Sequence, residues 1–458
     1  MDWLLPIARY LAFPLLRWRN RRRDLKYLSE AERLQTMPAA ELAARQTGQL
    51  QRLLTHAAQA CPFYAERFAT AGFDPTALRS PADLHGLPLL TKADIQTHGA
   101  KLLAQDVAPA DRIANHTGGS TGAPLHFHLN RDSLYWRIAK TIRHDRWAGL
   151  QPYDRAALLW GHQRDLNPAR TRVDRVRDAL YQRRVVLDTS RISEASLAAF
   201  VDRLRATRPT TYVAYAGAVF LLARYLRDRG IRDHHRPRSI ITSAELLTAD
   251  QRALIEEVFA CPVFDRYGSR EFSLIASECE AHAGLHIAAD TLLVEVLRGG
   301  EPCRAGETGE VVITDLTNFA QPFIRYRIGD MGRLIDGPCS CGRTLPRMEI
   351  AGGRVTDFLV RPDGEIVSGA AMTIYFIARV PGVRQAQVVQ EARDHLRLRL
   401  ATDAAFDADS RRQLTEAVAR FFGPKMHFSI EPVAEIPPEP SGKYRFSISK
   451  LDPLDGLN

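Results

Sequence analysis

The stretch "TTYVAYAGAVFLLARYLRDRG", residues 210–230, decides the fold. A short apolar, aromatic run reads as a strand, and the apolar residues that follow at three- and four-residue steps, stopped by Gly230, read as a helix. Downstream, "RSIITSAELLTADQRALIEEVFACPVFDRYGSREF" (residues 238–272) gives strand, loop, helix, strand and loop again. Upstream stand a helix in "RDSLYWRIAKTIRHDRWAGL" (131–150), a buried strand in "RAALLW" (155–160) and a helix in "SEASLAAFVDRLRATRP" (193–209). Strands alternating with helices predict an α/β domain with a mostly parallel sheet.

Further out the pattern changes. From about Leu292, "LLVEVL", "GEVVITDL", "FIRYRIGDMGRLI" and "RMEIAGGR" are short strands between turns, a β-rich subdomain at about 290–350. Beyond Asp357 a small α+β unit is expected: a hairpin in "FLVRPDGEIV" with an Asp-Gly turn, a helix in "AAMTIYFIARVPGV", two strands in "RQAQVVQEARDHLRLRLAT" and a helix in "SRRQLTEAVARFFG". Residues 29–73 are helical with a break at Pro62, and in "LPLLTKADI" (87–95) Thr91 and Asp94 have the spacing of a helix cap. The expected division is a basic N-terminal segment 1–28, a large domain 29–356 and a C-terminal domain 357–458.

With 458 residues, 45% hydrophobic and 25% charged, the chain has the balance of a water-soluble protein of two or three units. Its net charge of +9 suits acidic partners such as nucleotides, coenzyme A or anionic lipid. No zinc-finger, RNA-recognition or basic-zipper pattern accompanies it, so no nucleic-acid partner is expected. Six unevenly spaced cysteines point to a reducing, cytoplasmic setting. The N-terminus, "MDWLLPIARYLAFPLLRWRNRRRDLK", is apolar to Leu16 and then rich in arginine. It is too short to span a bilayer and its charges are misplaced for a signal peptide. Two readings stand: a helix lying in a membrane interface at the inner leaflet, or a helix packed on the body with its arginines in water.

The chemistry begins at "HTGGSTGAP", residues 116–124. Three glycines expose backbone N–H groups to an anion, and Thr117, Ser120 and Thr121 add hydroxyls. Ala123 and Pro124 stand where a P-loop NTPase needs Lys and Ser/Thr, which disfavours that class. In order downstream come "DRYGSREF" (265–272), "YRIGD" (326–330), "GGRVTD" (352–357) and "PSGKYRF" (440–446). Tyr267 can stack on a base, Glu271 is a hard oxygen ligand for Mg²⁺, and Asp330 can accept from both ribose hydroxyls. Arg354 can reach ribose or phosphate, and Lys443 is a mobile cation for a developing oxyanion.

This ordered set resembles the adenylate-forming superfamily, and within it the phenylacetate–coenzyme A ligase-like branch that includes capsule-cluster proteins. The resemblance runs from about Ser29 to Leu451. It implies a large N-terminal domain and a smaller mobile C-terminal domain. It implies ATP-dependent activation of a carboxylic acid to an acyl-adenylate with release of pyrophosphate, then transfer to a thiol. By position, Thr117, Gly118, Gly119, Ser120, Thr121 and Gly122 hold phosphates. Ser243, Ala244 and Glu245 line the adenine, Tyr267 stacks on it, Gly268 lies near the carboxylate, and Ser269 belongs to the same nucleotide-binding set. Glu271 binds Mg²⁺, Asp330 and Arg354 take the ribose side, Asp357 is the hinge and Lys443 the adenylation lysine.

Three departures stand out. No lysine follows Pro124, Thr356 replaces an acidic hinge residue, and Ser269-Arg270 replaces a smaller pair. Arg270 either faces an anionic acid in the acyl pocket or pairs with Asp265 or Glu278 outside it. Tyr212 and Tyr215 offer an aromatic wall for a flat acid.

Cys339 and Cys341, one residue apart, can share a metal, and Cys279 with His282 or His286 would complete four ligands suited to structural Zn²⁺. Buried free thiols are the alternative. The resemblance favours His286, in "GLH". Acyl acceptors in play are coenzyme A, a carrier-protein thiol or an amine, and a non-catalytic nucleotide-binding partner of a membrane assembly is the reading of a different class.

Overall fold

The computed structural model describes residues 4–19, 24–117, 125–160, 183–189, 194–354, 358–362, 366–368, 373, 377, 380–437 and 447–451. The chain forms two compact units. The first holds Met1–Val294, Ile313–Tyr326 and Ile335–Met348; the second holds Glu295–Val312, Arg327–Leu334 and Glu349–Asn458.

The first unit opens with helix α1, made of Leu4–Ile7, a π-helical turn Ala8–Ala12 and Phe13–Arg19. Helices α2 (Asp24–Leu34), α3 (Ala39–Ala60), α4 (Pro62–Thr70) and α5 (Lys92–Leu102) follow. Pro62 breaks the long helical pattern by taking the first position of α4, where its missing N–H costs nothing. The expected cap of α5 is a full capping box: the Asp94 amide donates to Thr91 Oγ1 at 3.1 Å and the Thr91 amide to Asp94 Oδ2 at 2.8 Å. Buried Arg325 donates to the carbonyls of Leu84 and His85, which pins the segment leading into α5.

Strands β1 (Ile113–His116) and β2 (His126–Leu129) form an antiparallel pair, and helix α6 (Arg131–Trp147) follows. The alternating region then appears as read, with one strand added: β3 (Ala156–Trp160), β4 (Arg184–Asp188), α7 (Glu194–Thr207), β5 (Thr211–Tyr215), α8 (Ala216–Asp228), β6 (Ser239–Ser243), α9 (Ala249–Phe259) and β7 (Val263–Ser269). The addition is β4, which sequence reading missed. Strands β4-β3-β5-β6-β7 are parallel neighbours. Beyond them β8 (Ser273–Glu278) and β9 (Leu285–Ile287) run antiparallel. Leu197, Phe200 and Leu204 of α7, Val219, Leu222 and Leu226 of α8, and Ile255 and Phe259 of α9 bury against Leu159, Tyr212, Ala214, Ile240 and Val263 of the sheet. Each fully buried side chain of this size is worth about 1.5–3 kcal/mol, which keeps the strand ends in register. Tyr212 belongs to this core. It is fully buried, donates its hydroxyl to the His235 carbonyl at 3.0 Å and meets Phe259 edge-on. Its place is therefore not the acyl wall expected of it.

The later strands are β10 (Leu292–Arg298), β11 (Glu301–Pro302), β12 (Gly309–Asp315), β13 (Tyr326–Ile335) and β14 (Arg347–Arg354). In the second unit β15 (Phe358–Val360) pairs β16 (Ile366–Ser368). The C-terminal strands β17 (Val383–Ala392), β18 (His395–Thr402), β19 (His427–Pro432) and β20 (Ser447–Ser449) form a sheet in the order β19-β18-β17-β20. Helix α10 (Ala408–Phe422) covers it with Leu414, Val418 and Phe422 on Val388, Leu396 and Leu398. Gln390, fully buried, exchanges two hydrogen bonds with the Val360 backbone, at 2.8 and 2.7 Å, and so ties β15 to this sheet. The fold is α/β with a β-rich part and a small C-terminal α+β part, as read.

Candidate functional site

Because β3, β5, β6 and β7 are parallel, their carboxyl ends share one edge of the sheet, where ligands of open α/β sheets bind. The register places Tyr215 beside Ser243, and Ser243 beside Arg266, the residue before Tyr267. One strand further, Trp160 ends β3, its ring centroid 4.1 Å from that of Tyr215. Sequence reading named Tyr215 and missed Trp160. The signal was available in the parallel alignment, since Leu159 faces Ala214 and the next residue of each strand is the aromatic.

After β6 the chain turns through Ala244 at φ +68°, a left-handed conformation that costs a non-glycine residue about 1 kcal/mol or more and is common beside functional sites. The turn delivers Glu245, whose Oε2 accepts the Gly217 amide at 2.7 Å at the start of α8. A carboxylate there satisfies an orphan helix donor and faces the positive end of the dipole.

Gly268 sits at a bulge between β7 and β8. A Cβ there would lie 2.6 Å from the Ser273 carbonyl oxygen, so only glycine fits this close approach of two backbones. Ser269 Oγ accepts the Phe272 amide at 3.3 Å, closing the turn that carries Glu271. The Glu271 Oε1 accepts from the Tyr326 hydroxyl at 3.4 Å. Its backbone is held as well: buried Arg137 of α6 donates to the carbonyls of Arg270 and Glu271 and pairs with buried Asp315 at 3.3 Å. Arg137 carried no motif, because its partner is distant in sequence. Arg270 is exposed; of its two candidate partners, Asp265 accepts from Thr242 at 2.7 Å and Glu278 pairs with Arg252 at 2.7 Å.

Thr117 closes the neck of the glycine loop. Its amide donates to the Leu125 carbonyl at 2.9 Å and its Oγ1 accepts the Leu125 amide at 3.0 Å, which leaves the hydroxyl proton to donate elsewhere. Gly118, Gly119, Ser120, Thr121, Gly122, Asp357 and Lys443 lie outside the described residues. Asp330, after Gly329 at φ +86°, and Arg354 fall in the second unit. Within the first unit, then, the structure gathers Tyr215, Ser243, Ala244, Glu245, Tyr267, Gly268, Ser269 and Glu271 on adjacent strand ends, with Thr117 on its own hairpin.

A second polar cluster lies in the same unit. The ligand atoms of Cys279, His286, Cys339 and Cys341 are all within 4.8 Å of one another. Cys279 Sγ and Cys339 Sγ are 3.7 Å apart, far beyond a disulfide bond, and Cys341 Sγ is 3.4 Å from His286 Nε2. Zinc at about 2.3 Å from sulfur and about 2.0 Å from nitrogen would set tetrahedral edges of roughly 3.8 and 3.5 Å, close to these two separations. His286 Nδ1 donates to the Leu345 carbonyl at 2.9 Å, which presents Nε2 to the cluster. The amides of Ala281 and Arg343 donate to the sulfurs of Cys279 and Cys341, each at 3.4 Å. His282 is elsewhere, paired with Glu278 at 3.2 Å.

Residues 359–450 match the family model of the CapK C-terminal domain. Protein CapK of Staphylococcus aureus is 24% identical over 389 residues, 81% of each chain. The phenylacetate–coenzyme A ligase of Thermus thermophilus is 28% identical over 335 residues, 71% of this chain and 73% of that one. Among solved structures, a 2-hydroxyisobutyryl-CoA ligase in the postadenylation state superposes with a TM-score of 0.71 at 23% identity, covering 93% of both chains, which shows the fold.

Proposed function

We propose that this chain, similar in sequence to phenylacetate–coenzyme A ligases and in fold to a 2-hydroxyisobutyryl-CoA ligase, activates a carboxylic acid with ATP and passes the acyl group to coenzyme A. The observation that carries this is the carboxyl edge of the sheet, where Ser243–Glu245 and Tyr267–Glu271 stand on adjacent strands beside the Trp160–Tyr215 pair. Tyr267 stacks on the adenine, and Gly268, its backbone held against that of Ser273, lies near the acid's carboxylate. Glu271, a half-buried hard oxygen donor whose backbone is clamped by Arg137, is the residue that would hold Mg²⁺, which neutralises phosphate charge when bound. The aromatic pair favours a flat acid. Asp330 and Arg354 take the ribose side, Thr117 with the glycine loop takes the phosphates, and Lys443 stabilises the oxyanion as the carboxylate attacks the α-phosphorus and pyrophosphate leaves. A turn of the C-terminal residues at Asp357 separates this step from thioester formation.

For the thiol–imidazole cluster we assign structural zinc. Four N/S donors within 4.8 Å of one another match the donor set of a closed structural site, which keeps no open position for catalysis.

The test is acid-dependent pyrophosphate release over a panel of aryl, fatty and hydroxy acids, with and without coenzyme A. Release should follow one acid class and fall about 10²- to 10³-fold in Lys443→Ala, and thioester should form only with coenzyme A. Release that survives in the variant removes the adenylation role of Lys443. Release without thioester moves the acceptor to a carrier protein or an amine.

A further inference from the structure

Apolar side chains left in water are concentrated at one end of the chain. Among the described residues seven large hydrophobic side chains are exposed, and five of them, Ile7, Tyr10, Leu11, Leu15 and Trp18, belong to α1. Trp18 is 79% and Tyr10 71% exposed. Positions 7, 11, 15 and 18 recur at steps of four, four and three, so they form one stripe along the helix, with Tyr10 on its border. A different face does the packing. Ala8 and Ala12 are buried, Phe13 meets the ring of Tyr153 edge-on at 6.3 Å, and the Arg9 guanidinium lies 5.3 Å over that same ring. The helix is docked on the first unit, and the stripe is what docking leaves uncovered. The helix therefore packs on the body, and its aromatic stripe is not the face that packs.

Charge identifies the cover. Residues 1–23 carry six arginines, at 9, 17, 19, 21, 22 and 23, against one acid, Asp2. A stripe of Leu, Ile, Trp and Tyr adjoining such a run matches the headgroup–acyl boundary of a negatively charged bilayer, where aromatic rings and guanidinium groups both find partners. The helical run from Leu4 to Arg19 is about 24 Å long at 1.5 Å per residue and includes Arg9, which suits lying in that boundary and not crossing it. No described helix is long and apolar enough to cross a membrane.

We propose that α1 seats the protein on an anionic lipid surface, with Leu11, Leu15 and Trp18 in the boundary and the net positive charge of residues 1–23 drawing it to negatively charged lipid. This inference does not depend on the ligase reading. The test is co-sedimentation of the full chain with vesicles of phosphatidylcholine alone or with about a quarter phosphatidylglycerol. Binding to the anionic vesicles should exceed that to neutral ones by roughly tenfold or more and weaken as salt is raised. Leu11→Ser/Leu15→Ser/Trp18→Ser should lower it by about tenfold while leaving the melting transition and pyrophosphate release unchanged. Absence of binding at any anionic fraction overturns the proposal, as does binding that the triple variant does not move. A wild-type dimer that the triple variant turns into a monomer, with no lipid binding, assigns the stripe to a second copy and also overturns it.

Discussion

The thiol–imidazole cluster and the carboxyl edge of the parallel sheet lie in the same unit and are built on opposite terms. In the cluster the backbone serves the side chains: the amides of Ala281 and Arg343 point at sulfurs, and the Leu345 carbonyl orients His286. At the edge the side chains serve the backbone. Glu245 takes an amide at the start of α8, Ser269 Oγ takes the Phe272 amide, and Gly268 is glycine because Ser273 leaves no room for more. Backbone groups spent on three of the four side chains suit the structural zinc proposed above. Where side chains are spent on the backbone, a loss of activity on substitution mixes lost shape with lost contact.

The largest expected effect tests the first half of that contrast. Cys339→Ser should lose bound zinc and destabilise the protein by on the order of 4 kcal/mol, because the free energy of a structural metal is part of the folding free energy. Denaturant melts with metal analysis measure both, and chelation of the wild type should reproduce the loss. A variant that melts within about 0.5 kcal/mol of wild type would show that the cluster holds nothing.

Gly268→Ala tests the second half. The added methyl meets a carbonyl oxygen at 2.6 Å, so the β7–β8 bulge must shift, at about 2 kcal/mol. Pyrophosphate release should fall by more than the melt predicts, since Tyr267 and Glu271 move with the bulge. Bound zinc should stay at the wild-type level. If zinc and activity fall together, the two regions are one cooperative element and the contrast fails.

What was legible in the sequence follows the same line. The β5–α8–β6–α9–β7 run could be read because period and length agree, and the Thr91–Asp94 box because its two bonds are local. Cys339 and Cys341 could be read from their spacing and His286 was favoured over His282 by the resemblance alone; the physical reason is the β8–β9 pairing, which sets Ser277 opposite His286 and brings it to Cys279. Tyr212 and Tyr215 looked alike as strand aromatics. Both are buried in the same core, and only their partners separate them: Tyr212 is held by the His235 carbonyl and the Phe259 ring, while Tyr215 ends β5 against Trp160. Arg137 was illegible for a plainer reason: its role rests on carbonyls and a carboxylate more than 130 positions away.

Asp265 gives the smallest effect and stands between the two regions. Its Oδ1 accepts from Thr242 at 2.7 Å, on the strand that ends at Ser243, and its amide donates at 2.8 Å to Glu278, the neighbour of Cys279. Burial pushes its carboxyl up to about 7, against the opposing pull of the Thr242 hydroxyl. Since the folded value lies above the unfolded one, the native state holds a proton that the unfolded chain has released. Stability is therefore lost as pH rises from about 4 towards 7 and levels off above it. Between pH 6 and pH 8 that loss is about 1 kcal/mol. Asp265→Asn cannot titrate, so its stability relative to wild type should improve by about that amount across the window, every other titration cancelling in the difference. Zinc-saturated denaturant melts at the two pH values provide the check. Parallel curves would mean that Asp265 is ionised throughout and that the strand joining edge to cluster carries a charge instead of a proton.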